Sequence, residues 1–362
     1  MLKHLKLGPK RVIRAYFGPV FLEGQDGSHY IFAQGRVNSS KDKAQKVIVM
    51  VKSRDNGKNW TSPKVIFDPQ AVIHEIVAFQ NQQTGRLGLM FQVVLKNFEG
   101  KTTKRKMVKI YSDDKGKTWS KSSLDRGSKG KSLGLYQWNK KGERFVTFQP
   151  TGMPFLIQEG PYRGRMVMSG YGLLEKKGAN VLGLKKKRAV VALFSENGGE
   201  TWEMGVPQTE TIDQKPGFAG ESTLTELSDG TLLMIVRPKK GQKKRFKSYS
   251  YDGGVSWTPL EKIKDLAPVP VFQSLTTYKR SGERRILLLS MPQLSLRMKG
   301  SVYFSFDEGE SWKRKTLVWG FFDYSDIKAL SDGRIVVTYS RGGHGPLGVN
   351  VAYFPLEWLL NN

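Results

Sequence analysis

The chain has 362 residues, 38% of them hydrophobic and 11% aromatic, enough apolar material for a packed core and too much for a disordered chain. It has no cysteine and no run of about 18 apolar residues, which excludes disulfides, thiolate metal sites and a helical membrane span. Lysine and arginine outnumber aspartate and glutamate 59 to 32, and the resulting charge of +27 draws polyanions such as acidic glycans.

From the N-terminus, residues 1–10 carry charges without an apolar core, so no secretory signal peptide is visible. The compartment stays open between the cytoplasm and an exterior reached with a leader absent from this sequence. An eight-residue phrase, S-x-D-x-G-x-[TSN]-W, then recurs at 53–60, 112–119, 195–202, 250–257 and 305–312, with Asn197 replacing the aspartate of the third copy. Each copy suits a tight turn: the aspartate bonds backbone two residues on, the glycine takes positive φ, and the tryptophan anchors the turn in apolar surroundings. Between the copies lie short β runs such as 47–51, 190–194, 231–236, 286–290 and 335–339, many of them preceded by turn pairs such as Asp229-Gly230 and Asp332-Gly333. No long 3.6-residue apolar period occurs, so helices are few. A repeat of this size predicts an all-β chain, a single six-bladed β-propeller domain over 1–362, with four strands per blade around a central channel. The stretch 127–131 reads as loop, and the basic runs 185–188 and 239–247 read as loop tips.

Function in a propeller gathers at the mouth of the channel, where charged residues sit at strand ends. Arg36 closes Phe32-Ala-Gln-Gly-Arg36, and Asp42 lies in the following loop. Glu221 opens a run that ends at Arg237, Arg297 precedes the fifth phrase, and Tyr324-Ser-Asp326 opens the last blade. Neither His4, His29, His74 nor His344 has metal-ligand spacing, and His74-Glu75 reads as a strand or loop pair. The glycines of 342–345 form a loop rather than a phosphate cradle. No metal or cofactor is expected. No nucleic-acid module accompanies the charge, which argues against that partner.

Together these segments resemble the sialidase (neuraminidase) family, exo-α-sialidases with a six-bladed propeller and repeated Asp boxes. Phe32-Ala-Gln-Gly-Arg36 is similar to the family's F-A-E-G-R, and Asp42 falls in the segment of its acid/base aspartate. The stretch from Glu221 to Arg237 resembles its glutamate-to-arginine segment, the stretch 324–335 resembles its tyrosine motif, and 158–171 resembles the strand feeding its pocket. The resemblance implies a retaining exo-glycosidase that releases terminal sialic acid from sialylated or other acidic glycans. Tyr324 would be nucleophile, Glu221 its base and Asp42 the acid/base, with Arg36, Arg237, Arg297 and Gln158 binding substrate. A tyrosine avoids the repulsion a carboxylate nucleophile would meet from the sugar's own carboxylate, and an ordinary phenol pKa of ~10 explains the need for a base.

One element of the pattern is missing. The family's first triad arginine falls where this chain has Phe17-Gly-Pro19, and that arginine's glutamate partner falls at Thr338-Tyr339-Ser340. Arg14 or Arg341 would be the nearest substitutes. Two other readings remain open: a sialidase-like glycosidase for another acidic sugar, and a non-catalytic glycan-binding propeller.

Overall fold

The computed structural model describes residues 6–8, 10–96, 102–123, 141–176, 187–209, 218–279, 285–341 and 348–361. His4, His344 and the loops expected at 127–131 and 342–345 lie outside them, as do Lys185 and Lys186. The first sheet takes its strands in chain order: Lys6–Gly8 (β1), Arg11–Glu23 (β2), His29–Val37 (β3), Lys46–Ser53 (β4), Lys64–Gln80 (β5), Leu87–Lys96 (β6), Thr102–Ser112 (β7) and Ser120–Ser123 (β8). The second holds Glu143–Leu156 (β9), Met166–Lys176 (β10), Lys187–Ser195 (β11) and Glu203–Met204 (β12), with Gln208–Thr209 (β13) beside β11. Phe218–Glu226 (β14), Leu232–Pro238 (β15), Phe246–Ser250 (β16) and Glu261–Lys262 (β17) form the third. Ser274–Tyr278 (β18), Ile286–Leu294 (β19), Met298–Ser305 (β20) and Lys313–Phe321 (β21) form the fourth. Ser325–Ala329 (β22), Arg334–Ser340 (β23) and Val349–Pro355 (β24) form the last, followed by the short helix Leu356–Leu360 (α1).

The chain is therefore an all-β propeller of five sheets, not the six separate blades expected. The difference lies in β5, 17 residues long, whose first half pairs with β4 and whose second half pairs with β6. What would be two blades is hydrogen-bonded into one eight-stranded sheet. The strands nearest the axis pack in a ring: β2 against β5 and β22, β5 on β9, β9 on β14, β14 on β18, and β18 on β22.

Middle strands such as β4 and β15 are nearly continuous apolar runs because both of their faces are covered by neighbouring sheets. The outer β21 faces water and is half-exposed, polar in its first four residues and largely apolar after them. The five repeated phrases are the turns after β4, β7, β11, β16 and β20. In the first, Ser53 Oγ accepts from Gly57 N at 3.0 Å, and Asp55 accepts from Asn59 N at 2.8 Å, four residues on rather than two. Gly57 has φ 85° and Trp60 donates to its carbonyl at 3.1 Å. Each tryptophan packs on the sheet, or half-sheet, before its own: Trp119 on Phe32, Trp202 on Phe79, Trp257 among Val167 and Val190, and Trp312 among Leu233 and Ile235. Trp60 packs against the apolar cluster that joins Phe21, Ile31 and Val51 to Leu330 and Val336 and so helps close the ring. The seam between the fourth and fifth sheets has no such turn among the described residues; Leu356, Trp358 and Leu359 of α1 pack there instead.

Candidate active site

Strand pairings place the ends of β3 and β15, with the turn after β19, at the end of the ring opposite the repeated turns. A cavity of about 760 Å³ opens there. Its walls include Phe17 of β2, Arg36 and Asp42 around the β3–β4 loop, Glu221 of β14, Arg297 beside β20, and Tyr324 just before β22.

Local backbone aims these groups. The β14–β15 register slips between Phe218 and Ser222, and Gly220 sits at φ 102° with Tyr171 so near that a Cβ would come within 2.5 Å of its ring. Only glycine permits that bend, and the next residue is Glu221. Tyr324 is pinned by Ser340, whose amide donates to the Tyr324 carbonyl at 2.9 Å.

The phenol of Tyr324 donates to Glu221 Oε1 at 2.7 Å, and Arg237 Nη1 donates to Glu221 Oε2 at 2.5 Å and to the phenol oxygen at 3.3 Å. Burial, then the charges of Glu221 and Glu75, push the phenol well above its ordinary pKa, against the pull of Arg237. The resting group is a neutral phenol whose proton already points at a carboxylate. Arg237 is itself pulled down by burial, yet Glu221 and Tyr324 lift it above its ordinary value.

Asp42 projects from its loop with 65% of its side chain exposed, tethered by Lys46 Nζ at 3.0 Å and Arg36 Nη2 at 3.3 Å. Both cations are buried. Desolvation pushes Asp42 up, but Lys46, His74 and Arg36 outweigh it and hold the carboxyl below its usual range. Arg297 donates to Asp323 Oδ1 at 2.5 Å; burial nevertheless raises the Asp323 carboxyl. The position expected to lack its arginine is filled by the ring of Phe17, 4.8 Å from that of Tyr324 and with the Arg36 guanidinium 4.3 Å above it. Where the matching glutamate would stand, Ser340 Oγ accepts from Gly18 N at 3.2 Å.

The structure thus brings Arg36, Asp42, Glu221, Arg237, Arg297 and Tyr324 together and leaves three expected residues outside. Arg14 is exposed, at the bulge of β2 between Ile13 and Ala15, and does not line the cavity. Arg341 is exposed one residue past β23, with its guanidinium beside Gly320 of β21. Gln158 follows β9 at the far end of the ring, where its amide donates to Glu226, five residues down β14 from Glu221. In its place Gln149 of β9 accepts from the Tyr171 hydroxyl at 2.7 Å, and both line the cavity. Sequence reasoning also passed over Lys46, Asp323 and Glu75. Glu75 sits at φ 45° in a β5 bulge and lines the cavity instead of being a plain strand residue.

The profile of the BNR repeat-like domain matches residues 27–337. The chain belongs to the BNR repeat-like family. This BNR protein is 28% identical over 220 residues to a sialidase of Micromonospora viridifaciens, a match covering 59% of the chain and 31% of that relative. It is 27% identical over 252 residues to a sialidase of Paraclostridium sordellii, covering 64% of the chain and 54% of the relative. The matches thus span between about a third and a half of these relatives. Among solved structures, the Hadza microbial sialidase Hz136 superposes with a TM-score of 0.74 at 18% identity, over 95% of this chain and 66% of that one. The intramolecular trans-sialidase of Ruminococcus gnavus gives 0.70 at 15% identity over 96% of each chain. The likeness to sialidases read from the sequence stands.

Proposed function

We propose that the protein is a retaining exo-glycosidase of the sialidase type, acting on the non-reducing end of acidic glycans. Tyr324 attacks the anomeric carbon while Glu221 takes its proton, Asp42 protonates the leaving oxygen and later deprotonates water, and Arg36, Arg237 and Arg297 bind substrate. The observation that carries this reading is the 2.7 Å Tyr324–Glu221 hydrogen bond in the wall of a cavity that Asp42 shares. The charge at Asp42 favours its role as base over that as acid, so poor leaving groups should be cleaved best below neutral pH.

The test is hydrolysis of a fluorogenic sialoside. Tyr324→Phe should lower kcat by roughly 10²–10⁴-fold with an unchanged melting temperature, and a 2,3-difluoro sialoside should label Tyr324 in the wild type. Turnover that survives Tyr324→Phe ends this assignment. Binding of glycans without turnover, indifferent to Tyr324 and Asp42 substitutions, would leave a non-catalytic propeller.

A second reading, a glycosidase for a different acidic sugar, is favoured by Phe17 and Asp323. The first arginine position is apolar, and both Arg237 and Arg297 already hold a carboxylate of the protein. A substrate carboxylate must displace one of these partners or sit elsewhere. Hydrolysis of other ulosonides or of uronides, with sialosides inert, decides for this reading.

A further inference from the structure

Of the seven exposed large apolar side chains among the described residues, Val206, Tyr251 and Leu360 stand apart and the other four are grouped. Leu294, Leu296, Trp319 and Phe321 stand together on the β19–β20 turn and the end of β21. Leu294 pairs with Met298, and Met298 with Phe321, so the three form one row across adjacent strands. Leu296 and Trp319 are each 74% exposed. Lys299 Nζ lies 4.7 Å over the Trp319 ring. Leu296 and Phe321 also line the cavity, so this apolar tip is part of its mouth. A grouped patch of this kind marks a surface that meets something apolar.

The charge of the molecule is polarised along the same axis. Turns at the cavity end, residues 38–45, 239–244 and 294–297, carry seven basic residues and one acidic. The repeated turns at the other end carry nine acidic and four basic. Lys41, Lys43, Lys239, Lys240 and Lys243 are all exposed at the cavity end.

We propose that the cavity end of the ring docks on an anionic lipid bilayer. Leu294, Leu296, Trp319 and Phe321 enter the boundary between headgroups and acyl chains, and the lysine-bearing turns rest on the lipid phosphates. A soluble polyanion would satisfy the lysines but offers nothing to the apolar tip. A second copy of the chain would bring two like-charged ends together. Docked this way, the cavity opens onto the membrane and meets glycans carried on lipids. The proposal stands on surface features alone and is independent of the reaction assigned above.

The test is co-sedimentation with vesicles of phosphatidylcholine alone and of phosphatidylcholine mixed with phosphatidylglycerol, at low and high salt. The wild type should pellet with the anionic vesicles only, and less at high salt. Leu294→Ser/Trp319→Ser, two exposed positions outside the cavity lining, should lower the bound fraction about tenfold with an unchanged melting temperature. Lipids with brominated chains should quench wild-type tryptophan emission, and Trp319→Phe should lose most of that quenching. Failure to pellet overturns the proposal, as does pelleting that survives the apolar substitutions, which would mean that charge alone acts. A wild-type dimer in sedimentation velocity that the double substitution dissolves would assign the tip to self-association and overturn it too.

Discussion

Phe17 shows how a site can change its chemistry without a hole or an orphaned charge. An arginine at this place needs a carboxylate partner, and the partner's position holds Ser340, committed to Gly18 N at 3.2 Å. Phe17→Arg alone should therefore cost roughly 2–4 kcal/mol, whereas Phe17→Arg/Ser340→Glu should recover most of it. Chemical denaturation of the four-member cycle measures the coupling, and a coupling near zero would show that the two positions are independent.

Glu75 carries a second consequence at the same scale. Burial and the neighbouring Glu221 raise its carboxyl to about 8, while Lys46 and Arg237 pull it down and Asp42 adds to the rise. The folded state therefore keeps this proton after the unfolded chain, with an ordinary glutamate, has released it. Stability conferred by the protonated form is complete below the ordinary glutamate range and is lost as pH rises toward 8. Glu75→Gln should match the wild type in melting temperature near pH 4 and exceed it near pH 8. Equal melting temperatures at both values would show that Glu75 titrates normally.

At the scale of elements, the repeated turns act as spacers between sheets. Trp202 is fully buried, meets Phe79 edge-on at 5.6 Å and donates to the Gly199 carbonyl at 3.1 Å. Trp202→Ala should cost about 3–5 kcal/mol, read as a lower denaturant midpoint at constant slope. The spacing of the turns made the all-β repeat legible, because serine, aspartate, glycine and tryptophan each have one job in this turn. The joining of two blades through β5 was not legible, since a strand kinked by a bulge at His74–Ile76 reads in sequence like two strands. Nor was α1, whose five residues are too few for a helical period. In the site, Glu221 and Tyr324 stood at strand edges within specific motifs, and Asp42 in the loop between two strands. Gln158 misled because its segment was right and its position wrong: Tyr171, at the end of the same stretch, is the residue that reaches the cavity.

For the whole molecule, the decisive place is where the ring closes. No strand of the first sheet is hydrogen-bonded into the last among the described residues. The join is made by side chains: Asp326 accepts from Phe21 N at 2.9 Å, and Glu23 accepts from Ser331 Oγ at 2.6 Å, while the other oxygen of Asp326 accepts from Ser274 Oγ of the fourth sheet at 2.7 Å. Asp326→Ala would orphan two buried donors and should cost roughly 2–5 kcal/mol, with amide exchange rising first in β2 and β22. Exchange rising evenly over all sheets would argue against a local weak point.

Phe17 belongs to the opening strands and Tyr324 to the closing ones, so the Tyr324 phenol acquires this aromatic neighbour only across that join. The cavity that both residues line therefore cannot take shape until β22 has packed against β2.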